Sequence, residues 1–176
     1  PSKNLTSILC GKSRPHFFGG VCQVVARLFD IIKPSHAFFG EKDLQQYIII
    51  KQMVTDLNLS IKIMSGSIIR DDNGLAKSSR NRYLTESSYK QALMIPNALK
   101  AIKELFNSGT IDSVKIKEGI IKELTENKLK IDYLEFFNPH DQKLITETIT
   151  EECFCCIAVI CDGVRLIDNC SMKKEF

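Results

Sequence analysis

The sequence predicts an α/β region with parallel strands, followed by a small α+β region with an antiparallel sheet. Helix and strand patterns alternate in the first half, whereas helices precede three consecutive β-type runs in the second half. Alternation indicates a crossover unit between parallel strands, and the second order is typical of an α+β domain. We place the boundary near Gly74, which gives domains of residues 1–74 and 75–176.

Four elements in order support the first domain. The periodicity predicts helices at residues 21–32 and 43–57 and strands at residues 36–39 and 61–69. Pro34 ends the first helix and Gly40 stops the first strand, whereas Asp43 is a possible N-cap of the second helix. The last strand is bent near Gly66. Two strands do not complete a doubly wound sheet, so we expect its other strands to come from sequence upstream.

The second domain begins with helices. We expect one helical region from Glu86 to Phe106, kinked by Pro96 and closed near Gly109. Asp112 is expected to cap a further helix that runs to about Asn127. The β-type runs then lie at residues 131–137, 144–150 and 154–161.

Charge and hydropathy argue against nucleic acid and membrane as partners. The net charge is +3, with Lys and Arg spread along 176 residues, whereas a duplex-binding protein normally carries a basic face. No apolar run approaches the roughly 20 residues needed to cross a bilayer. We therefore predict a cytoplasmic protein that binds neither nucleic acid nor membrane.

Seven cysteines at irregular spacing do not form a disulfide framework. Cys153, Cys155 and Cys156 superficially resemble a metal cluster, but they lie in or beside the apolar run of residues 154–161. Neighbouring strand residues point to opposite faces, so Cys155 and Cys156 do not converge on one ion. We interpret them as small buried hydrophobes, which fits a reducing compartment.

The segment FGEKDLQQ, residues 39–46, lies where a strand ends and a helix begins. Open α/β sheets bind ligands at this edge, glycine lets a ligand approach the backbone, and a helix start favours anions. Lys42 is suited to a phosphate and Asp43 to ribose hydroxyls, and Gln46 lies one turn further along the helix. From spacing alone, a capped helix with surface charges at Glu41, Lys42 and Asp43 explains the segment equally well.

A second segment, GLAKSSRNRYL, spans residues 74–84. Ser78 and Ser79 supply hydroxyl and backbone donors, and Lys77 with Arg80 supplies positive charge. Such a loop can clamp the pyrophosphate end of a nucleotide as negative charge develops there. The alternatives are a basic interdomain linker or a phosphorylation target, and the loop by itself does not decide between them.

Together the two segments resemble the pantothenate synthetases, also called pantoate–β-alanine ligases. The likeness extends along nearly the whole chain in the right order, through GKSRP at residues 11–15, KQMVTDLNL at 51–59, DYLEF at 132–136 and VRLIDN at 164–169. The resemblance implies a Rossmann-like fold of the nucleotidyltransferase superfamily. It also implies that the full-length protein is a homodimer.

The family reaction has two steps, and the resemblance implies both. The carboxylate of pantoate attacks the α-phosphate of ATP with Mg²⁺ assistance, giving pantoyl adenylate and pyrophosphate. The amine of β-alanine then attacks the acyl carbon, releasing AMP and pantothenate. Both steps move charge about phosphate oxygens, so fixed cations and hydrogen-bond donors are expected to supply most of the catalysis.

Residue roles carry over from the family by motif. The ATP contacts implied are those of the strand end and of a mobile loop, namely Gly40, Glu41, Lys42, Asp43, Lys77, Ser78, Ser79 and Arg80. The catalytic side chains among them are Lys42, Ser78, Ser79 and Arg80. Gln46 resembles the glutamine that binds pantoate, and Ile69 takes the position whose backbone meets adenine. The loop is the family's counterpart of the KMSKS segment of class I aminoacyl-tRNA synthetases.

Three departures from the family pattern matter. None of the three histidines lies in an HxGH-type segment, which in the family carries the opposing side of the phosphate site. Phe17 and Gly19 replace a usual histidine and arginine, and Lys77 stands where Leu or Met is more usual. We therefore expect the carboxy-terminal part of such an enzyme, with negligible turnover by itself. A non-catalytic nucleotide-binding module and another superfamily member, such as a cytidylyltransferase, are the alternatives.

Overall fold

A strand, a crossover helix and a second, parallel strand organise the amino-terminal part of the chain. The computed structural model describes residues 3–150 and 152–173, and it divides into two units, Pro1–Ile68 and Ile69–Phe176. The first unit contains α1 (Lys3–Thr6), α2 (Leu9–Ser13), α3 (Phe17–Ile32), β1 (His36–Gly40), a 3-10 turn (Glu41–Asp43), α4 (Leu44–Asp56) and β2 (Lys62–Gly66). The division precedes Gly74, and the assignment of residues 1–74 and 75–176 to separate domains remains our proposal.

The two strands pair in parallel along their whole length. The register runs from His36 opposite Lys62 to Gly40 opposite Gly66. A tight turn cannot connect parallel strands, so α4 provides the crossover and packs against both of them. The predicted α/β class is confirmed for this unit.

The two faces of this strand pair differ. Ala37, Phe39 and Ile63 point to one face and are half-buried, whereas Phe38 and Met64 stand opposite each other on the other face. Phe38 is 73% exposed and Met64 is 43% exposed. Both faces of a parallel sheet are normally covered, whereas this face of the pair exposes two large apolar side chains.

Backbone conformation decides where the predicted helix boundaries fall. Lys33 has a φ of 50° and its N–H donates to the carbonyl of Phe29, so α3 ends before Pro34 as predicted. Asp43 occupies the N-cap position of α4, but its side chain makes no capping hydrogen bond. An N-cap normally has extended φ and ψ, and Asp43, with a ψ of 51°, does not. Asp43 is therefore the N-cap residue of α4, as predicted, but it has neither the backbone conformation nor the side-chain hydrogen bond of a typical cap.

The second unit is an antiparallel sheet packed against helices. Its elements are a 3-10 helix (Ser79–Tyr83), α5 (Glu86–Ala92), α6 (Met94–Asn107), α7 (Ser113–Glu126), β3 (Lys130–Asn138), β4 (Lys143–Ile145), β5 (Phe154–Cys161) and β6 (Val164–Ser171). The strands are arranged in the order β4-β3-β5-β6. Fully buried side chains from both layers form the core, among them Ile95, Ile102, Phe136 and Ile157. The predicted α+β arrangement is confirmed.

The predicted helical region is present, but its interruption lies earlier than expected. The chain breaks at Leu93, between α5 and α6, and Pro96 is the third residue of α6. A proline ring clashes with the carbonyl four residues before it and is tolerated in a first turn, so a new helix starts just ahead of Pro96. Gly109, with a φ of 97°, closes α6 as predicted. Asp112 caps α7 by accepting from the N–H groups of Val114 and Lys115.

Only part of the run at residues 144–150 is a strand. β4 is short, and the following residues leave β3 for the segment that precedes α7. There the N–H of Ser113 donates to Glu147 at 2.8 Å, and the N–H of Ile149 donates to Ile111 at 2.8 Å. The extended segment thus pairs first with β3 and then with residues 111–113. Strand propensity does not reveal such a change of pairing partner.

The strand β6 was not predicted. It follows β5 through Asp162 and Gly163, whose φ angles are 49° and 77°. Two consecutive positive φ values are typical of a type I′ hairpin turn, for which Asp-Gly is a favoured sequence. That dipeptide was the available signal, whereas buried Asp168 and Asn169 interrupt the apolar pattern of the strand.

The cysteines lie mainly in the core, as predicted. Six of the seven are buried, and Cys170 is partly buried. A hydrogen bond with Cys170, which faces it across the sheet, and burial together raise the pKa of the Cys155 thiol well above its usual value. Across residues 3–150 and 152–173, no three His, Cys, Asp or Glu side chains form a group able to hold a metal ion. Within the same residues, no helix combines the length and apolar content that crossing a membrane requires.

Candidate nucleotide site

Both parallel strands end in glycine at the same level of the sheet. Gly40 is paired with Gly66, and no atom lies within 4 Å of a Cβ placed on either residue. The carboxyl edge of the strand pair therefore presents bare backbone at the place where open α/β sheets bind ligands. Gly66 was not among the site residues predicted from sequence, although a glycine ending each strand was a visible signal.

The charged residues of the first segment follow directly after this edge. Glu41, Lys42 and Asp43 form the 3-10 turn between β1 and α4. The Lys42 Nζ atom lies 3.9 Å from Oδ2 of Asp43, and the exposed fractions of the two side chains are 15% and 51%. The structure thus brings Gly40, Glu41, Lys42 and Asp43 together, with Lys42 held against the protein and Asp43 open to solvent.

Two adjacent glutamines at the start of α4 have different surroundings. Gln45 is buried, and its amide donates to the carbonyls of Leu5 at 2.6 Å and Ile8 at 2.8 Å. Its side-chain oxygen accepts from the N–H of Cys10 at 3.0 Å. Gln45 therefore ties the α1–α2 segment to α4. Gln46, the residue predicted to bind pantoate, is half-buried at the next position.

The second segment is a loop whose base is closed by backbone hydrogen bonds. The N–H of Lys77 donates to the carbonyl of Ile69 at 2.8 Å, and Arg70 forms an antiparallel bridge with Ala76. The Ile69 side chain is 69% exposed. Ile69, the residue predicted to meet adenine, is thus directly linked to the first residue of the predicted phosphate loop.

Asp71 holds the turn inside this base. Its carboxylate accepts from the N–H groups of Asn73 and Leu75 and from the hydroxyl of Tyr89 at 2.7 Å. Burial acts to raise the pKa of Asp71, but these three hydrogen bonds outweigh it and lower the pKa below its usual value. The stabilisation is therefore present above the ordinary pKa of an aspartate and is lost as the pH falls through the lowered value.

The remaining predicted residues are consecutive on the same loop. Lys77, Ser79 and Arg80 are exposed, whereas Ser78 is half-buried. The Ser78 hydroxyl oxygen accepts from the N–H of Arg80 at 3.2 Å and caps the 3-10 helix. Ser78 thus has a structural contact in addition to the predicted catalytic one. Both predicted segments are assembled locally, the first in the amino-terminal unit and the second in the carboxy-terminal unit.

The positions that depart from the family pattern make contacts of their own. The guanidinium of Arg14 lies 3.7 Å from the ring centroid of Phe17. The ring of Phe17 meets that of Phe18 edge-on at 5.1 Å. Gly19 stands where the resemblance implies arginine, and apart from Gly19 itself and its neighbours along the chain no atom lies within 4 Å of an added Cβ. At Phe17, where the resemblance implies histidine, the ring makes a cation–π contact with Arg14.

A groove of about 410 Å³ in the first unit lies away from the candidate site. It is lined mainly by apolar side chains that precede the two strands, including Phe29, Pro34, Leu57 and Ile61. These residues lie at the amino ends of β1 and β2, whereas ligands of open α/β sheets bind at the carboxyl ends. We therefore do not assign the groove to the nucleotide.

Comparison with known proteins identifies the family. The family model described as pantoate-beta-alanine ligase matches residues 1–171. The chain belongs to this family. The pantothenate synthetase of Thermotoga neapolitana is 43% identical over 166 residues, which are 94% of this chain and 59% of the relative. That of Caldicellulosiruptor bescii is 44% identical over 174 residues, 98% of this chain and 61% of the relative.

Solved structures of the pantoate–β-alanine ligase family share the fold. Pantothenate synthetase from Thermus thermophilus superposes with a TM-score of 0.88 at 32% identity, covering 97% of this chain and 61% of that one. The ligase from Francisella tularensis, solved with a compound named Beta-gamma ATP and with β-alanine, gives 0.78 at 30% identity, covering 99% and 58%. The nucleotidyltransferase-like fold is confirmed. The chain spans about three fifths of the length of these relatives.

The neighbouring glutamines provide a paired test of the local structure. We expect Gln45→Ala to lower the free energy of unfolding by about 2 kcal/mol, because two buried backbone groups and one partly buried group lose their partner. Gln46→Ala should change it by less than about 0.5 kcal/mol, as for most sites without buried contacts. Urea unfolding of the two variants measures the difference. Equal losses would show that Gln45 does not have the anchoring role described above.

Proposed function

We propose that the complete protein containing this chain condenses pantoate with β-alanine at the expense of ATP, releasing AMP and pyrophosphate. The observation that carries the proposal is the glycine-terminated edge of β1 and β2 followed by Lys42, in a chain of the pantoate–β-alanine ligase family. Bare backbone beside a fixed cation suits the triphosphate of a nucleotide.

Adenylation of pantoate is the step in which these residues act. The pantoate carboxylate attacks the α-phosphate of ATP, and negative charge develops on the phosphate oxygens and on the departing pyrophosphate. Lys42, held at the strand end, stabilises the reacting phosphate, while Lys77 and Arg80 neutralise the pyrophosphate. In the same proposal Ser78 and Ser79 donate hydrogen bonds to the phosphates.

The other predicted residues orient the reactants. Asp43 is half exposed beside Lys42, as a ribose-binding carboxylate must be. Gln46 follows on α4 and binds pantoate, and the Ile69 backbone meets adenine. In the second step the amine of β-alanine attacks the acyl carbon of pantoyl adenylate and AMP leaves. Holding both reactants in one geometry is the main contribution that binding groups make to such a step.

Magnesium accompanies ATP in this proposal. Mg²⁺ is bound in such sites through phosphate oxygens, waters and one or two carboxylates. No carboxylate of this chain is assigned to the ion, because the exposed Asp43 beside Lys42 is proposed to hold the ribose. The ion would neutralise phosphate charge, and Lys42 would share that work from the protein side.

The complete protein is required because one face of the strand pair lacks a partner. Phe38 and Met64 are exposed on that face, and the relatives are longer than this chain. We propose that the remaining part covers this face and supplies the histidine side of the phosphate site, so that this chain alone is inactive. The homodimer and the cytoplasmic location expected from the sequence belong to the same proposal.

Ligation by the complete protein tests the function directly. We expect AMP release that depends on both pantoate and β-alanine, and no turnover above background by residues 1–176 alone. Adding the separate amino-terminal part to this chain should restore part of the activity. A complete protein that binds ATP without making AMP would favour the non-catalytic module. Full activity of the isolated chain would contradict the proposed division of the site.

Lys42 provides a residue-level test in the complete protein. Lys42→Ala should slow pantoate-dependent exchange of pyrophosphate into ATP by about 100-fold or more, because a preorganised charge at the reacting phosphate is lost. Its melting temperature should stay close to that of the unchanged protein. Lys51→Ala, an exposed lysine on α4, is the matched control and should alter neither quantity. Parallel losses of rate and melting temperature in Lys42→Ala would indicate a structural role instead.

A further inference from the structure

An ion pair joins the base of the phosphate loop to the edge strand of the second sheet. Arg70 donates from its two terminal nitrogens to the carboxylate of Asp168, at 2.6 Å and 3.0 Å. The exposed fractions of the two side chains are 31% and 2%. Parallel contacts of this kind are strong and directional, and the hydrogen bond to Asp168 raises the pKa of Arg70.

The same guanidinium also contacts the loop itself. Arg70 donates to the carbonyl of Gly74 at 3.0 Å, inside the turn that precedes Lys77. Gly74 has a φ of 89°, a conformation that favours glycine. One side chain thus connects the turn to Asp168 on β6, and its own backbone pairs with Ala76, the residue before Lys77.

A second contact reinforces the end of the loop. The Asn81 side-chain amide donates to the carbonyl of Ala76 at 3.1 Å. The 3-10 helix Ser79–Tyr83 packs against β6, the strand that carries Asp168. The backbone on both sides of Lys77–Arg80 is therefore fixed to one surface, while Lys77, Ser79 and Arg80 remain exposed.

We propose that Arg70 and Asp168 are a positioning pair, which holds the loop Lys77–Arg80 ready for the triphosphate without contacting the substrate. The proposal rests on the function proposed above for this loop. Burial of a carboxylate is costly unless it is paired and hydrogen-bonded, so the two hydrogen bonds from Arg70 to Asp168 fix Arg70 and, through it, the turn at Gly74. The substitution Arg70→Lys would retain the positive charge but would lose the two parallel hydrogen bonds to the Asp168 carboxylate.

Tryptic cleavage within the loop tests the positioning role without any assay of activity. Trypsin cuts after Lys77, Arg80 and Arg82 when the loop opens locally. In the complete protein, Asp168→Asn and Arg70→Lys should each accelerate this cleavage by about tenfold, because charge-assisted hydrogen bonds at the loop base are lost.

Asp132→Asn is the matched control. It removes another Arg–Asp pair of the same sheet, in which Arg165 donates to Asp132 at 2.6 Å and 3.0 Å. Asp132 and Arg165 lie on β3 and β6, and this control should leave loop cleavage at the original rate. Equal acceleration by Asp132→Asn and Asp168→Asn would overturn the proposal, since general destabilisation would then explain both.

Kinetics of the complete protein supply a second readout. Asp168→Asn should raise the KM for ATP or lower the rate of pyrophosphate exchange by about tenfold, and should leave the reaction of supplied pantoyl adenylate with β-alanine unchanged. Equal loss in both steps would overturn a specific role in positioning the phosphate loop. If Asp168→Asn does not fold, Arg70→Lys decides by the same two measurements. If the unchanged protein shows no ligation, the proposed function fails, whereas tryptic cleavage still tests the pair.

Discussion

Parallel pairing of β1 and β2 is the constraint on which the amino-terminal unit depends. It requires α4 as a crossover, and it places both strand ends at one edge, where Gly40 and Gly66 expose backbone. The same strand pair exposes Phe38 and Met64 on one face, although parallel sheets are normally covered on both faces. We propose that this cover, like the histidine side of the phosphate site, comes from the remaining part of the complete protein.

The carboxy-terminal unit meets a different requirement, that of holding a charged loop in a defined place. Ion pairs of exposed Lys and Arg side chains contribute little to stability. The contacts that keep the loop in one conformation must therefore lie at its base. There Asp71 satisfies the backbone of the turn, and Arg70 connects that turn to buried Asp168. Side chains from the helices and the sheet form the apolar core of this unit. The contacts that order the loop are mainly polar and lie at its base, where Asp71 and Arg70 bind the turn.

Local patterns in the sequence predicted most of the elements, and the motifs indicated the two segments that we propose as the site. Helical spacing located α3, α4, α6 and α7, and contiguous motifs located Lys42 and the loop at Ser78. What the sequence could not show are contacts between distant residues. In the sequence, Gln45 cannot be distinguished from its neighbour Gln46. Its structural role is revealed only by its hydrogen bonds to the α1–α2 segment. In the same way, Asp168 interrupts the apolar pattern of β6 in the sequence. The hydrogen bond from Arg70, which is distant along the chain, explains why an aspartate is buried there.

We propose that the turn after β1 and the loop Lys77–Arg80 each contact ATP in the complete protein. Hydrogen–deuterium exchange with and without ATP tests it most directly, because it reports on backbone protection whether or not catalysis occurs. We expect slower exchange on ATP binding at residues 40–46 and at residues 77–80. Unchanged exchange in both segments at saturating ATP, with protection confined to other parts of the protein, would contradict it.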